Sequence, residues 1–270
     1  MSSYILSEIN IYPVKSLSGI SLQASEVNSR GLKHDRRWMV IDEEEKFVTQ
    51  RTHPQLALIK TKIKENKLIL GHKTKEISPL VIPINLMLVE STIVKVWEDF
   101  VEARFVGKYA DEWLSEVLGI KCKLVFMPDE TERYVNRNYA FKNEIVSFAD
   151  AFPFMLIGQA SLNDLNKRLK EKLPMNRFRP NLVFEGGQVY EEDDWKKIRI
   201  GEIIFDVVKP CSRCVTINVN QDNAEKGEEP LKTLAKYRSE GNKIYFGQNL
   251  LHENNGTLKI GDAVEILEWK

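Results

Sequence analysis

Two of the three cysteines of this 270-residue chain, Cys211 and Cys214, are separated by only two residues, in the sequence KPCSRC. Thiols at this spacing occur as redox dithiols, as half of a zinc site, or as one metal ligand beside a structural thiol. Two buried thiols without any chemistry are as common as these, because free cysteine is among the most buried residue types. The pair is the first candidate for chemistry in this chain.

A structural zinc site is disfavoured by the ligands available. Such sites take four ligands, commonly from two paired motifs, whereas this chain has one pair and one distant cysteine, Cys122. A thioredoxin-type dithiol needs its first cysteine at a helix N-terminus. The residues after Cys214, VTINVN, are rich in β-branched residues and predict a strand instead. The four histidines show no ligand spacing among themselves: His34, His53, His72 and His252.

A single thiolate ligand fits the pattern better. In an extended backbone the side chains alternate between faces, so Cys211 and Arg213 are predicted on one face and Ser212 and Cys214 on the other. Two cysteines on opposite faces cannot bind one metal together, so one would be the ligand and the other structural. Arg213 would favour the thiolate form, and a thiolate is a soft ligand suited to a transition metal.

Cationic and amide side chains stand at the ends of other predicted strands. Guanidinium groups match phosphate oxygens, so several of them at one site would suit a phosphate-bearing cofactor. Each is a weak signal alone, because most arginines are solvent-exposed. The candidates lie in IYPVKS, HDRRWMV, NRFRPN and YFGQN, and are Lys15, Ser16, Arg36, Arg37, Arg177, Arg179, Asn181, Gln248 and Asn249.

The elements that must position these residues are mostly short strands in the first half of the chain. Alternating apolar and polar residues predict strands in YILSEINIYPV and ISLQASEVNS. Strand–turn–strand units are predicted for residues 36–50, 56–70 and 92–106. Tyr109 to Gly119 predicts a short helix that ends at the glycine. The polar segment Pro128 to Asn138 is the best candidate for a linker or mobile loop between two domains.

The second half mixes helices and strands. The clearest helix is SLNDLNKRLKEKL, in which Ser161 and Asp164 resemble a capping box and Pro174 follows the last turn. Its apolar face consists of Leu162, Leu165, Leu169 and Leu173. A second short helix is predicted for EEPLKTLAKYR. Strands are predicted for NLVFEG, IRIGEIIFDVVK, CVTINVN, KIYFGQNLLHE, GTLKIG and AVEILEW.

Charge and composition disfavour several classes of protein. Thirty-nine basic residues balance thirty-nine acidic ones, so a nucleic-acid partner is not expected. The most apolar run, Pro79 to Val89, is too short to span a bilayer, so no membrane segment is expected. The N-terminal residues lack the pattern of a signal peptide. Three cysteines are an odd number and too few for a disulfide framework. This predicts a reducing, cytoplasmic location.

Together these motifs resemble the MOSC family, in its two-domain, amidoxime-reducing type. The N-terminal part of the resemblance lies in IYPVKSLSGI, GLKHDRRWMVID and VTQRTHPQLALI, and the C-terminal part in NRFRPNLVFEG, KPCSRC, FGQN and GTLKIGDAVEIL. The resemblance covers nearly the whole chain. It implies a β-rich α+β fold, with an N-terminal β-barrel-like domain at residues 1–125 and a MOSC β-barrel domain with a few short helices at residues 126–270.

The resemblance also implies a molybdenum cofactor of the molybdopterin type. In the family the second cysteine of the motif binds the metal, which makes Cys214 the expected metal ligand and catalytic residue. Ala151 and Phe152 depart from the family, because relatives carry hydroxyl residues there, and a contact to the cofactor is expected to be missing. The positions that match those holding the pterin or its phosphate are Lys15, Ser16, Arg36, Arg179, Asn181, Ser212 and Arg213.

The activity that the resemblance implies is the reduction of small N-hydroxylated compounds. The chain has no ferredoxin-like cysteine set and no glycine-rich dinucleotide motif. A separate electron-donor protein with flavin, haem or an iron–sulfur centre is therefore expected. Two alternatives stay open: a non-catalytic carrier of the cofactor or its sulfur, and an interaction module that kept only the fold. Sulfurases with this domain carry an additional pyridoxal-phosphate module, for which this chain leaves no room. The sequence names no general acid; Asp150 and His252 are candidates, and a structural role is the expectation for each.

Overall fold

The computed structural model describes residues 4–85, 87 and 89–270, so Leu86 and Leu88 of the apolar run lie outside the described residues. Within that part the chain forms nineteen strands and three α-helices, which confirms the predicted β-rich α+β class. The strands are β1 Tyr4–Ile11, β2 Ile20–Leu22, β3 Ala24–Asn28, β4 Gly31–Leu32, β5 Trp38–Ile41, β6 Ile59–Lys64, β7 Lys67–His72, β8 Leu80–Pro83, β9 Ser91–Val96, β10 Asp99–Phe105, β11 Lys123–Phe126, β12 Phe154–Gly158, β13 Leu182–Glu185, β14 Trp195–Ile200, β15 Ile203–Ser212, β16 Ser239–Glu240, β17 Lys243–His252, β18 Gly256–Lys259 and β19 Ala263–Trp269. The helices are α1 Lys108–Leu118, α2 Gln159–Arg168 and α3 Leu231–Leu234. No helix in the described part of the chain is both long and apolar enough to cross a bilayer.

The largest sheet closes on itself as a seven-stranded barrel. Its strands follow the order β12, β13, β1, β19, β14, β15 and β17, and β17 pairs back with β12. Neighbouring strands are antiparallel except β12 and β13, which run parallel. Alternate side chains point inward and fill the barrel, among them Phe154, Trp195 and Phe205.

The third strand of this barrel comes from the start of the chain. β1 pairs with β13 on one side and with β19 on the other. In the same way β3, from the first half, pairs with β18 from the second. A division near residue 125 remains a prediction, but the strand pairing joins Tyr4–Ile11 to the barrel of the second half.

The remainder of the first half is built from two small antiparallel sheets. One has the order β5, β11, β10, β9, and the other has the order β6, β7, β8. Side chains from both sheets, such as Trp38, Leu70 and Leu124, share one core, which α1 covers with Leu114. The helix ends at Gly119, as predicted, because its φ of +68° suits the left-handed cap that glycine tolerates.

Three predicted elements are shorter than expected, one of them the helix predicted for EEPLKTLAKYR, which forms only over Leu231–Leu234. In residues 36–50 two isolated bridges, Ile41 with Phe47 and Lys46 with Lys95, take the place of the predicted second strand. The Leu-rich helix ends at Arg168 rather than Leu173. Asn166 explains the early end, because its side chain both donates to and accepts from the backbone of Leu173 and so satisfies peptide groups outside the helix.

The predicted capping box is wrong. The helix begins at Gln159 with Gly158 as its N-cap, so Ser161 lies inside the first turn. The Ser161 hydroxyl instead donates to the buried carboxylate of Glu192, at 2.8 and 2.9 Å from its two oxygens. The hydroxyl that the local pattern predicts as a helix cap therefore hydrogen-bonds to a residue distant in sequence.

The strand predicted for CVTINVN is also wrong. β15 ends at Ser212, and Val215–Asn218 forms one 3-10 turn with Cys214 as its N-cap. Ile217 is buried in a core with Phe178 and Phe246. Burial of this side chain outweighs the β propensity of the sequence, which is a weak and context-dependent preference.

The segment Pro128 to Asn138, predicted as a linker, is packed against the rest of the molecule. Arg30 donates to the carbonyl of Asp129 at 2.7 Å. Arg133, which is 5% exposed, donates to the carbonyls of Ser147 and Ala149 at 2.9 and 2.6 Å. The segment is a fixed connection that leads directly to the site described next.

Candidate functional site

A cavity of about 270 Å³ lies between the end of β15 and the N-terminal half of the chain. Its walls come from the loop after β1, the segment before β12, the 3-10 turn Met175–Arg177 and the KPCSRC motif. All eight sequence-predicted site residues line it: Lys15, Ser16, Arg36, Arg179, Asn181, Ser212, Arg213 and Cys214. The structure thus brings together residues that are up to about 200 positions apart in the sequence.

The cavity is strongly cationic, although the chain as a whole has no net charge. Among the described residues that line it are seven Lys or Arg and a single carboxylate, Asp150, a formal excess of six positive charges. Like charges in a partly buried site repel one another, so this lining favours an anionic ligand. The cations are Lys15, Arg36, Arg51, Arg177, Arg179, Lys209 and Arg213.

The two cysteines of the motif differ in their surroundings. Cys214 is exposed, and its Sγ donates to Thr216 Oγ1 at 3.2 Å. Cys211 is half-buried against the core, and its Sγ accepts a hydrogen bond from Arg213 Nη1 at 3.1 Å. Arg213 therefore reaches the same side as Cys211, as predicted. Both thiols line the cavity, and Cys214 is the more exposed of the two. Cys122 is buried in the N-terminal core.

Arg213 is held in place yet retains hydrogen-bonding capacity. Nη2 donates to the carbonyl of Phe178 at 2.5 Å, and Nη1 also lies 2.8 Å from Met155 Sδ. Its Nε is buried with no hydrogen-bond partner in the described part of the chain. An unsatisfied buried donor is unfavourable, so an acceptor in the cavity would stabilise this arrangement.

Arg36 and Arg179 are positioned by one aromatic ring. Their guanidinium carbons lie 4.3 and 4.2 Å from the centre of the Tyr12 ring. Arg36 pairs with the buried carboxylate of Asp35, 2.5 Å from Oδ2. The Arg179 guanidinium makes no hydrogen bond or ion pair with the described residues. Burial lowers the pKa of Arg179 to about 10, so it remains a cation at neutral pH, and none of the described carboxylates contacts it directly.

Three of the site residues have a left-handed backbone. The φ angles are +68° at Ser16, +49° at Arg36 and +55° at Arg179. Residues other than glycine rarely adopt this region, and such positions concentrate at binding and catalytic sites. The strain is maintained by the surrounding contacts, and it turns these side chains toward the cavity that they line.

Lys15 and Asp150 form an ion pair in the cavity wall. Lys15 Nζ donates to Asp150 Oδ1 at 2.6 Å and to the Phe148 carbonyl at 2.8 Å. Burial lowers the pKa of Lys15, and Asp150 partly opposes that shift. Burial tends to raise the pKa of Asp150, but Lys15 and a hydrogen bond from Trp97 hold that pKa well below its usual value. The ion pair with Lys15 and the hydrogen bond from Trp97 together outweigh burial and decide the direction of the shift, and the Asp150 side chain remains 68% exposed.

Neither candidate for a general acid suits that role. Asp150 is ionised at neutral pH, because its pKa is lowered. His252 does not line the cavity. Its ring packs against Phe154 at 5.3 Å between centroids, and burial lowers the pKa of His252. Both residues therefore have structural or electrostatic roles.

The amide of Asn181 is already engaged with the protein. Oδ1 accepts from Arg36 Nη1 at 3.0 Å and from the backbone of Met155 at 3.3 Å, and Nδ2 donates to the carbonyl of Asn10 at 3.2 Å. Asn181 is 2% exposed. It orients Arg36 and connects three strands of the barrel, whereas the hydroxyl of Ser212 is exposed in the cavity wall.

Some of the cationic and amide residues predicted at strand ends make structural contacts instead. Arg177 lines the cavity, but it donates to the carbonyls of Ile217 and Glu229. Arg37 pairs with Asp129 outside the cavity. Gln248 donates to Asp193, whereas the next residue in β17, Asn249, lines the cavity. Successive residues of a strand face opposite sides, so only one of these two amides can reach the site.

Sequence reasoning missed Arg51, Lys209, Thr49 and Thr216, all of which line the cavity. Lys209 is the first residue of the KPCSRC motif, so the motif itself could have indicated it. Arg51 stacks on Trp97, with its guanidinium carbon 4.3 Å from the ring. Nothing local in VTQRTHPQ indicates that contact, because Trp97 lies on a different hairpin. Ala151 and Phe152, the two departures from the family pattern, lie in the cavity wall as well.

Comparison with known proteins decides the family. The MOSC N-terminal beta barrel domain matches residues 3–121, and the MOSC domain matches residues 143–265. Mitochondrial amidoxime-reducing component 1 of Mus musculus is 34% identical over 282 residues, which cover 97% of this chain and 82% of that protein. The chain belongs to the MOSC family. The predicted resemblance is thereby confirmed.

Two further relatives of this MOSC protein carry different names. Mitochondrial amidoxime reducing component 2 of Bos taurus is 33% identical over 277 residues, covering 96% of this chain and 82% of that protein. Molybdenum cofactor sulfurase of Oryza sativa subsp. japonica is 34% identical over 278 residues, covering 94% of this chain and 33% of the sulfurase. The cavity of this MOSC protein is lined from both matched regions, by Lys15 and Arg36 from the first and by Arg179 and Cys214 from the second.

Proposed function

We propose that this MOSC protein binds a molybdenum cofactor of the molybdopterin type and reduces small N-hydroxylated compounds with electrons from a separate protein. The observation that carries the proposal is one exposed thiol, Cys214, in the wall of a cavity lined by seven cations and one carboxylate. A thiolate is a soft metal ligand, and guanidinium groups match phosphate oxygens. The amidoxime-reducing components among its relatives support the reductase activity.

The residues present fit such a group. Cys214 would bind the metal. Arg179, whose guanidinium has no protein acceptor among the described residues, and Arg213, whose Nε is buried without one, would bind the phosphate or pterin. When bound, the group would supply a centre that receives two electrons from the donor protein and passes them to the N–OH group, which takes up two protons and releases its oxygen as water.

The chain's own residues preorganise this site. Arg36 is oriented by Asp35 and Asn181, and Lys15 by Asp150. Ile217, buried in the core, holds the turn that follows Cys214 and so fixes the direction of the thiol. Phe152, Phe154 and Met155 also line the cavity and give part of its wall an apolar surface. Electrons would arrive from a protein that carries flavin, haem or an iron–sulfur centre.

The test is to quantify molybdenum and pterin on protein made in a host that synthesises the cofactor, and to measure benzamidoxime reduction with an artificial electron donor. We expect about one molybdenum per chain and turnover in the wild type. Cys214→Ser should lose the turnover, whereas the matched control Cys211→Ser should largely retain it. The reverse pattern would reject Cys214 as the ligand, and protein without molybdenum would reject the proposal.

A second candidate function is a non-catalytic carrier of the cofactor or of its sulfur. Its support is the similarity to molybdenum cofactor sulfurase, which is as high in identity as the similarity to the reductase components. A carrier would contain molybdenum and pterin but would reduce neither benzamidoxime nor N-hydroxyadenine. It would instead activate a purified molybdenum enzyme that lacks its cofactor, a transfer that a reductase with a tightly bound cofactor would not perform.

A further inference from the structure

Arg51 is a cavity-lining cation that none of the carboxylates in residues 4–85, 87 and 89–270 contacts directly. Its guanidinium carbon lies 4.3 Å from the centre of the Trp97 ring. Within the part of the chain that the structure describes, the guanidinium makes no hydrogen bond and no ion pair. A guanidinium stacked on an indole keeps its N–H groups, which lie in its own plane, free to bind an acceptor.

The backbone around Arg51 is fixed on both sides. Gln50 is fully buried and donates to the carbonyl of Ser16 at 2.7 Å. Its side chain also exchanges two hydrogen bonds with Gln221, of 3.2 and 2.9 Å. The carbonyl of Arg51 accepts from Lys226 Nζ at 2.6 Å. The guanidinium is therefore presented from a rigid segment, which lowers the entropic penalty of binding.

Trp97, which supports Arg51, has a strained backbone. It lies at the tip of the β9–β10 hairpin with φ of +58°, a region that bulky residues rarely adopt. Its Nε1 donates to Asp150 Oδ1 at 3.3 Å, and its ring packs against Phe47. Trp97 thus holds two cavity-lining groups, Arg51 and Asp150, in one place.

The position of this group favours the substrate over the cofactor. Trp97 is 38% exposed and the Asp150 side chain is 68% exposed, so this wall borders the solvent side of the cavity. Arg36 and Arg179, by contrast, are stacked on Tyr12, which is 3% exposed. Asp150 would not repel an incoming anion strongly, because Lys15 already neutralises it at 2.6 Å.

We propose that Arg51, supported by Trp97, binds a carboxylate of the substrate at the entrance of the cavity. This inference rests on the proposed function and names its substrate class: N-hydroxylated compounds that carry a carboxylate. A charge-assisted, two-pronged contact of this kind is stronger than a neutral hydrogen bond and fixes the orientation of the compound.

The test compares benzamidoxime with 3- and 4-carboxybenzamidoxime, by calorimetric binding to the cofactor-loaded protein and by turnover. The wild type should bind the better carboxylated compound more tightly than benzamidoxime. Arg51→Gln should weaken binding of that compound about tenfold or more, because a hydrogen bond to a charged group is lost, and should change benzamidoxime binding less than twofold. Arg51→Lys should fall between the two proteins, since it keeps the charge but not the fork.

Arg137→Gln is the matched control, because it removes the same charge from an exposed position outside the cavity. A loss of molybdenum and pterin in Arg51→Gln would overturn the inference in favour of a cofactor contact. Equal weakening of both compounds would overturn it in favour of a structural role. Binding and turnover together distinguish the failure of this inference from the failure of the proposed function. If the cofactor-loaded protein binds the carboxylated compound through Arg51 but does not reduce it, only the proposed reductase activity is rejected. If benzamidoxime is reduced but wild type and Arg51→Gln bind the carboxylated compound with equal affinity, only this inference is rejected.

Discussion

Replacing Arg36 by Met should destabilise the protein in a pH-dependent manner. The substitution removes an ion pair to Asp35 Oδ2 of 2.5 Å, a hydrogen bond to Asn181 of 3.0 Å and the stacking on Tyr12. Asp35 is 2% exposed and would be left with an unpaired charge. Breaking a buried ion pair from one side costs about 3–5 kcal/mol. The Arg36 side chain is 14% exposed, so we expect a value of about 3 kcal/mol near the lower end of that range.

The pH dependence follows from the direction of the Asp35 shift. Burial already raises the pKa of Asp35 above its usual value, while Arg36 lowers it. Without Arg36 the pKa of Asp35 in the folded state rises further above its unfolded value, so the folded variant binds more protons than the unfolded chain. Stability of the variant relative to wild type should therefore improve as the pH falls from 7 toward 5.

The assay is urea unfolding followed by tryptophan fluorescence at pH 7 and pH 5. With a slope near 3 kcal/mol per molar urea, a loss of about 3 kcal/mol moves the midpoint by about 1 M. The double variant Arg36→Met with Asp35→Asn should recover part of the loss at pH 7, because the unpaired charge is gone. Lys33→Met, which breaks the exposed pair with Glu26, should change the midpoint little. An equal loss at both pH values, with no recovery in the double variant, would refute the reasoning.

Two further predictions concern the turn that presents the thiol. Iodoacetamide should modify Cys214 much faster than Cys122, because Cys214 is exposed whereas Cys122 is buried and burial raises the pKa of Cys122. Mass spectrometry of the peptides measures both rates. Comparable rates would contradict the exposure of Cys214. Ile217→Ala should lower the free energy of unfolding by about 2–4 kcal/mol through the cavity it leaves and should reduce the molybdenum content, since the turn after Cys214 loses its anchor. Full molybdenum content in a destabilised Ile217→Ala protein would show that the turn does not orient the ligand.

Local patterns determined elements whose signals agree with their surroundings. The β6–β7 hairpin turns at Glu65 and Asn66, as predicted, and both residues adopt positive φ angles, +50° and +58°, that a two-residue hairpin turn requires. The helix α1 ends at Gly119 for the same kind of reason. In these places the backbone conformation depends on residues that are adjacent in sequence, so the sequence is enough to predict it.

Other elements were decided by distant partners. Val215–Asn218 forms a turn because Ile217 is buried in the core. Ser161 does not cap the helix because its hydroxyl donates a hydrogen bond to the buried carboxylate of Glu192. Neither partner is close in sequence. Propensities of a few tenths of a kcal/mol per residue cannot outweigh burial of a large apolar side chain, which contributes about 1.5–3 kcal/mol.

The sequence by itself determined the chemical groups of the site: a thiol at Cys214, cations and amides at strand ends, and motifs in an order that resembles one family. Only the tertiary structure decided which groups share one cavity, which are already engaged and which remain free. Asn181 is held by the barrel, Arg179 has no protein acceptor among the described residues, and Arg51 joins the site through Trp97. The physical reason is that a side chain's availability depends on its burial and its partners. Both are set by chain segments far away in sequence, which the closed barrel brings against the N-terminal half.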